Sequence, residues 1–178
     1  MIITIAGTPG AGKSSVAKLV AKRLKLKHYS TGDYMRQIAL KRNISLMKLT
    51  KIAEKDKSID KELDQWQIKS GKTKDNFVID SRLGFYFIPI SIKVLLIADI
   101  DKSVNRIFQQ KRREEHAPTK GAIKKKIFAR EKSEKKRYKA LYKPEIYDLN
   151  DFDIIIDTSD LTIKEVVDGI IKYVKKEY

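Results

Sequence analysis

The sequence predicts an α/β protein built on a five-stranded parallel sheet flanked by helices. Three observations predict it. Short β-branched runs alternate with stretches of helical period. A glycine-rich loop, Gly7-Thr8-Pro9-Gly10-Ala11-Gly12-Lys13-Ser14, joins the first such run to the first helical stretch. That octapeptide fits G-x-x-x-x-G-K-[ST], whose required setting is strand, loop, helix.

Ile2 to Ala6 is the first strand, a β-branched run of a kind buried on both faces. The first helix runs from Ser14 to Lys25 with Val16, Leu19, Val20 and Leu24 on one side. Lys27 to Ser30 is a short second strand. Thr31-Gly32-Asp33 turns into a helix from about Tyr34 to Arg42. Ile44 to Lys69 reads as two helices broken near Asp56 to Ile59. Asn76 to Asp80 and Ile92 to Ala98 are the third and fourth strands. A helix is expected over Asp101 to Arg113, then a polar break over Glu114 to Lys120, then a long basic helix from about Ala122 to Leu141. Phe152 to Asp157 is the fifth strand, and Thr162 to Lys175 a closing amphipathic helix. The length is that of one domain, residues 1–178.

The loop carries chemistry. Glycines let the backbone curl so that successive N–H groups face phosphate oxygens, and the helix N-terminus adds a favourable dipole. Gly7 through Ser15 are therefore expected to bind a nucleoside triphosphate. Lys13 reaches its β- and γ-phosphates, and the Ser14 hydroxyl ligates Mg²⁺. In open parallel sheets, ligands sit at the carboxyl ends of the strands, so Gly7, Ser30, Asp80 and Asp99 should cluster. Asp80 reads either as a carboxylate that orders Mg²⁺ opposite Ser14 or as a strand-end turn residue. Arg82, two residues on, brings a cation to the same crevice. Thr31, Gly32 and Arg36 either hold a second phosphate or form a helix cap followed by a surface arginine. Arg130, Glu134 and Arg137 share one helical face. They read either as two guanidiniums converging on a transferring phosphoryl group, oriented by Glu134, or as an exposed ion-paired stripe.

Composition limits the classes. The sequence is 42% hydrophobic with no apolar run long enough to span a membrane, and its first residues serve as a strand, so no signal peptide is expected. Cysteine is absent, which excludes a disulfide framework, a thiol nucleophile and a cysteine-ligated metal. His28 and His116 read as ordinary surface or edge residues. The net charge is +16, from 39 Lys and Arg against 23 acidic residues. The densest run, Lys120 to Lys139, interleaves cations with apolar and acidic residues, as a solvated helix does. Phe128, Tyr138 and Tyr142 are too few for a stacking stripe, which argues against nucleic acid as a partner.

Taken together, these motifs resemble the short archaeal type of cytidylate kinase, within the P-loop nucleoside monophosphate kinases. The resemblance rests on Gly7 to Ser15, Ser30-Thr31-Gly32-Asp33-Tyr34-Met35-Arg36, Ile79-Asp80-Ser81-Arg82-Leu83-Gly84, Arg130-x3-Glu134-x2-Arg137-Tyr138, and Phe152 to Ser159. They occur in family order and cover nearly the whole chain. The resemblance implies a P-loop NTPase fold with a helical monophosphate-binding insertion, about residues 31–75, and a small lid, about 110–130. It implies that Arg36 and Arg82, with Thr31, Gly32 and Asp80, hold the monophosphate. Lys13, Arg130, Glu134 and Arg137 would act in catalysis, and Arg106 would pack on the donor adenine near Thr158-Ser159-Asp160. Asp60, Asp64 and Gln67 lie where an acceptor base would be read, with none assigned. The implied activity is transfer of the γ-phosphoryl group of Mg·ATP to CMP, and to dCMP, by a cytoplasmic monomer. The alternatives are another monophosphate acceptor, AMP or UMP, and a nucleic-acid-binding P-loop ATPase.

Overall fold

The computed structural model describes residues 1–109, 119–142 and 148–177. Strand β1 (Ile2–Gly7) is buried along its whole length and lies at the centre of the sheet. With β2 (Lys27–Ser30), β3 (Phe77–Asp80), β4 (Ile92–Ile97) and β5 (Ile154–Asp157) it forms a five-stranded sheet of order β2-β3-β1-β4-β5. All four pairings are parallel. The fold class expected from the sequence is therefore the one observed, a P-loop NTPase-type α/β sheet. The central strands are the most apolar because both of their faces are covered.

The helices are α1 (Lys13–Leu24), α2 (Thr31–Lys41), α3 (Leu46–Ala53), α4 (Lys57–Thr73), α5 (Gly84–Phe87), α6 (Ile100–Gln109), α7 (Lys120–Leu141) and α8 (Ile163–Glu177). On one face of the sheet, Val16, Ala17 and Val20 of α1 and Val167, Ile170 and Val174 of α8 pack on Ile3, Ile5, Val94 and Leu96. On the other, Leu83 and Phe85 meet Ala6 and Leu95, with Phe152, Tyr138 and Tyr142 against them. Helices α2, α3 and α4 have a separate core of Ile38, Ala39, Leu49, Ala53 and Ile59. Val104 and Ile107 of α6 join Ile123 and Ile127 of α7.

Several boundaries differ from the sequence-based expectation. Helix α2 begins at Thr31 instead of Tyr34, because Ser30 caps it: its Oγ accepts from the Asp33 N–H at 3.4 Å. The break before α4 falls at Glu54–Asp56 and not at Asp56–Ile59, since Asp56 caps α4 by accepting from Ser58 N–H at 2.8 Å. Thr119 caps α7 by accepting from Ala122 N–H at 3.2 Å, so the helix starts earlier than Ala122. Helix α5, inside the run Gly84-Phe85-Tyr86-Phe87, had no periodicity long enough to announce it. Of the stretch expected as a lid, residues 120–130 are the first half of α7, and residues 110–118 lie outside the described residues, as does His116.

Candidate active site

The loop after β1 turns on positive φ angles at Gly10 (81°) and Gly12 (87°), which L side chains rarely adopt. A Cβ on Gly10 would also lie 2.6 Å from the Ser103 Cβ of α6, so this glycine lets α6 close onto the loop. Gly12 caps α1 without a side-chain bond, leaving the first N–H groups of α1 available to an anion. Lys13 folds back over its own loop. Its ammonium donates to the Gly7 and Thr8 carbonyls, both at 2.9 Å. Burial pushes Lys13 down to about 7, and the charges of Arg82 and Arg130 push the same way against Asp80 and Glu134. The Thr8 hydroxyl is buried without a hydrogen-bond partner, a polar atom left for a ligand oxygen.

Asp80 ends β3 level with Ile5 of β1 and Ser30 of β2. Its Oδ1 accepts from the Ser30 hydroxyl at 3.0 Å, and His28 Nε2 stands 3.4 Å from its Oδ2. Burial pushes the Asp80 carboxyl up, but contacts from His28, Ser30 and the Ser14 hydroxyl outweigh it and hold the group below its ordinary value. Asp80 thus stays ionised beside Ser14. A hydroxyl and a carboxylate placed together are the hard oxygen donors that suit Mg²⁺, which takes few protein ligands and completes its shell with phosphate oxygens and water. Reading His28 as an ordinary edge residue missed this contact. Its side chain is 18% exposed and lies on the same side of β2 as Ser30, two residues on, a period-2 signal that could have found it.

Of the expected strand-end residues, Ser30 and Asp80 meet through a hydrogen bond, and Lys13 ties the Gly7 carbonyl to the same edge. Asp99, just past β4, caps α6, accepting from Asp101 and Lys102 N–H at 2.8 and 3.1 Å. Thr31 donates its hydroxyl to the Asp80 carbonyl at 3.3 Å, bringing the start of α2 to the same edge. Arg36 pairs with Asp33 at 2.7 Å and is half exposed.

Helix α7 supplies the cations opposite. Glu134 bridges two of them: it pairs with Arg82, and it accepts from Arg130 Nε at 3.0 Å. Arg137 faces a different carboxylate. Its Nε lies 3.5 Å from Asp60 Oδ2 on α4, and its guanidinium sits 5.5 Å from the Tyr138 ring centre. The ion pairs of Glu134 therefore join Arg130 to Arg82, where the sequence had suggested Arg130 and Arg137. Arg106 reaches across from α6 to the turn after β5, donating to Thr158 Oγ1 at 3.1 Å and to the Thr158 and Ser159 carbonyls. The Thr158 hydroxyl contacts the Ala11 carbonyl at 3.2 Å, tying that turn to the phosphate loop.

A phosphate loop at the carboxyl end of a central parallel strand, a carboxylate facing its serine, and three arginines nearby define a P-loop kinase site. A model of the cytidylate kinase-like family matches residues 2–160, and the chain belongs to that family. It is 37% identical to the cytidylate kinase of Sulfolobus acidocaldarius over 99% of this chain and 96% of that one. It is 33% identical to the cytidylate kinase of Methanocaldococcus jannaschii over 93% of each chain. Among solved structures, the fold resembles shikimate kinase from Bacteroides thetaiotaomicron, with a TM-score of 0.71, 15% identity and 98% of both chains covered. It also resembles a protein from Eubacterium ventriosum, with a TM-score of 0.75, 20% identity and 98% of both chains covered. Among the described residues, no helix is long and apolar enough to cross a membrane.

Proposed function

We propose that this protein transfers the γ-phosphoryl group of Mg·ATP to CMP, and to dCMP, giving ADP and the cytidine diphosphate. The observation that carries this reading is the meeting of Lys13, Arg82 and Arg130 around one phosphate loop, with Glu134 between the arginines and Asp80 beside Ser14. The names of the curated relatives point to the acceptor.

An oxygen of the acceptor monophosphate is already a nucleophile. It attacks the γ-phosphorus, a new P–O bond forms, and the bond to the β-phosphate bridging oxygen breaks with its electrons leaving on ADP. No side chain need be phosphorylated. The work left to the protein is alignment and charge neutralisation. Gly7 to Ser15 would cradle the donor phosphates, with Lys13 exchanging its two carbonyl contacts for phosphate oxygens. Arg106 and the Thr158–Ser159 turn would border the donor base. Thr31, Gly32, Arg36 and Arg82 would hold the acceptor phosphate. Arg130 and Arg137 would face the phosphoryl group in transfer, with Glu134 keeping Arg82 and Arg130 in place. Ser14 and Asp80 would hold Mg²⁺, which neutralises phosphate charge and orients the donor.

The test is ADP production from Mg·ATP with CMP, dCMP, UMP, AMP and GMP in parallel, beside an acceptor-free control. Strong production with the two cytidine monophosphates is the expected result. Preference for another monophosphate would move the substrate and keep the mechanism. Equal ATP loss with and without acceptors would overturn the kinase reading.

A further inference from the structure

Helix α7 has two sides of opposite character. Its inner side does the packing and carries the site. Ile123 and Ile127 are buried against Val104 and Ile107 of α6, and Arg130, Glu134 and Arg137 make the ion pairs described above. Both acidic residues of the helix belong to that side: Glu134 itself, and the half-buried Glu131 one turn after Ile127. The outer side is basic. Lys125, Lys132, Lys136 and Lys139 are spaced i, i+7, i+11 and i+14, and all are exposed. At 3.6 residues per turn they fall within an arc of about 60°. No acidic residue of α7 shares that arc. Among the described residues none of these lysines forms an ion pair; the pairs made by α7 use Lys124, Arg130, Glu134 and Arg137 instead. Along the chain the run interleaves cations with acids, but on the helix the two separate. Like charges one turn apart, Lys132 with Lys136 and Lys136 with Lys139, repel and weaken the helix. An anionic partner would relieve that repulsion.

We propose that the outer face of α7 docks the phosphate backbone of a nucleic-acid duplex. From Lys125 to Lys139 the face runs about 21 Å along the helix axis. A duplex carries one negative charge per about 1.7 Å of its own axis. Each ammonium, a point charge on a flexible stem, therefore meets phosphate in any register, so the contact is independent of base sequence. The scarcity of aromatic residues argues against stacked single-stranded bases; backbone contact needs none. An anionic membrane suits the surface less well. A helix lying in a lipid interface buries an apolar face there, whereas Ile123 and Ile127 are already spent against α6. Phe128, 52% exposed, is the single large apolar side chain beside the lysines. The face points away from Arg130 and Arg137, so a docked duplex leaves the phosphate loop open. The surface stands apart from the acceptor reading and does not depend on it.

The test is fluorescence anisotropy of the full chain with a labelled, mixed-sequence DNA duplex of about 24 base pairs, between about 50 and 200 mM KCl. Binding should weaken steeply with salt, with a log–log slope of about −3 to −4, near 0.9 for each phosphate contacted. A variant combining Lys125→Gln, Lys132→Gln, Lys136→Gln and Lys139→Gln should lose at least about tenfold in affinity at the lowest salt and most of the slope. Lys132→Gln and Lys136→Gln alone should each reduce the slope by about one. A second combined variant removes the same charge from exposed positions of α8, as Lys164→Gln, Lys172→Gln, Lys175→Gln and Lys176→Gln. It should bind within about twofold of wild type. Equal losses in the two combined variants would reduce the binding to net charge and overturn the surface. So would the absence of duplex binding at low salt. Saturating Mg·ATP should leave the duplex bound; its displacement would place the duplex on the phosphate loop instead. Cosedimentation with phosphatidylserine vesicles that the α7 variant abolishes, without duplex binding, would give the face to lipid and overturn the proposal. Thermal melts should show the α7 variant no less stable than wild type, so that lost affinity is not lost fold.

Discussion

Arg82, just beyond β3, and Glu134, midway along α7, form an ion pair with side chains 16% and 12% exposed. A second bond from Arg130 to the same carboxylate makes Glu134 the link between the sheet edge and two cations of the site. Removing its charge leaves two guanidiniums facing each other. Glu134→Gln should therefore lower kcat/KM by about 100-fold, the scale on which loss of one preorganised electrostatic contact acts. Steady-state kinetics on the folded variant check it. A value within twofold of wild type would reduce the pair to scaffolding.

Lys13 is held near neutrality, its group lowered to about 7 by burial and by the adjacent arginines. A lysine that is partly uncharged at pH 8 reacts with acylating reagents when ordinary lysines do not. Competitive labelling over a pH series, read by peptide mass, should give Lys13 an apparent value near 7 and surface lysines values near their usual range. Mg·ATP should protect it, since phosphate restores the charged form. Lys13→Ala should cost several orders of magnitude in turnover with the fold retained, and Arg137→Ala should do the same. Near-normal turnover in either would remove that residue from the mechanism.

Asp64 ties stability to pH. Its folded value is raised to about 6 by burial, above the model-peptide value of 3.8, so the folded protein holds this proton more tightly than the unfolded chain. Below about pH 4 both states are protonated and the penalty is absent. It grows as pH rises from 4 to 6 and is complete above 6. Asp64→Asn should melt higher than wild type at pH 7.5, with the difference shrinking to nothing near pH 4. Melting curves across that range decide it. A pH-independent difference would mean that Asp64 titrates normally.

Arg106 spends its guanidinium on the Thr158–Ser159 turn, which also touches the phosphate loop. Arg106→Ala should raise the KM for ATP about tenfold while changing kcat and the KM for the acceptor little, because only donor-side geometry is loosened. Lost hydrogen bonds should cost about 1–3 kcal/mol of stability by chemical denaturation. Equal changes in both KM values would place the effect on the whole site.

Much of this was legible in the chain. The phosphate loop is a local device: its glycine angles, its lysine and the strand and helix around it are consecutive, so the spelling carries the geometry. The buried strands Ile2–Gly7 and Ile92–Ile97 and the stripe of α8 follow from apolar pattern alone. What stayed hidden depends on which distant groups face each other. Nothing in Lys27-His28-Tyr29 says that His28 will stand against Asp80; that follows from β2 lying beside β3 in the sheet. The helical spacing of Arg130, Glu134 and Arg137 put them on one face, yet it could not choose partners. Glu134 takes Arg82 and Arg137 faces Asp60 because α7 crosses both the turn after β3 and helix α4. Asp64 meets Tyr142 for the same reason. Period and loop spelling are properties of neighbouring residues, whereas desolvation and charge pairing belong to surfaces that come together only when the elements pack.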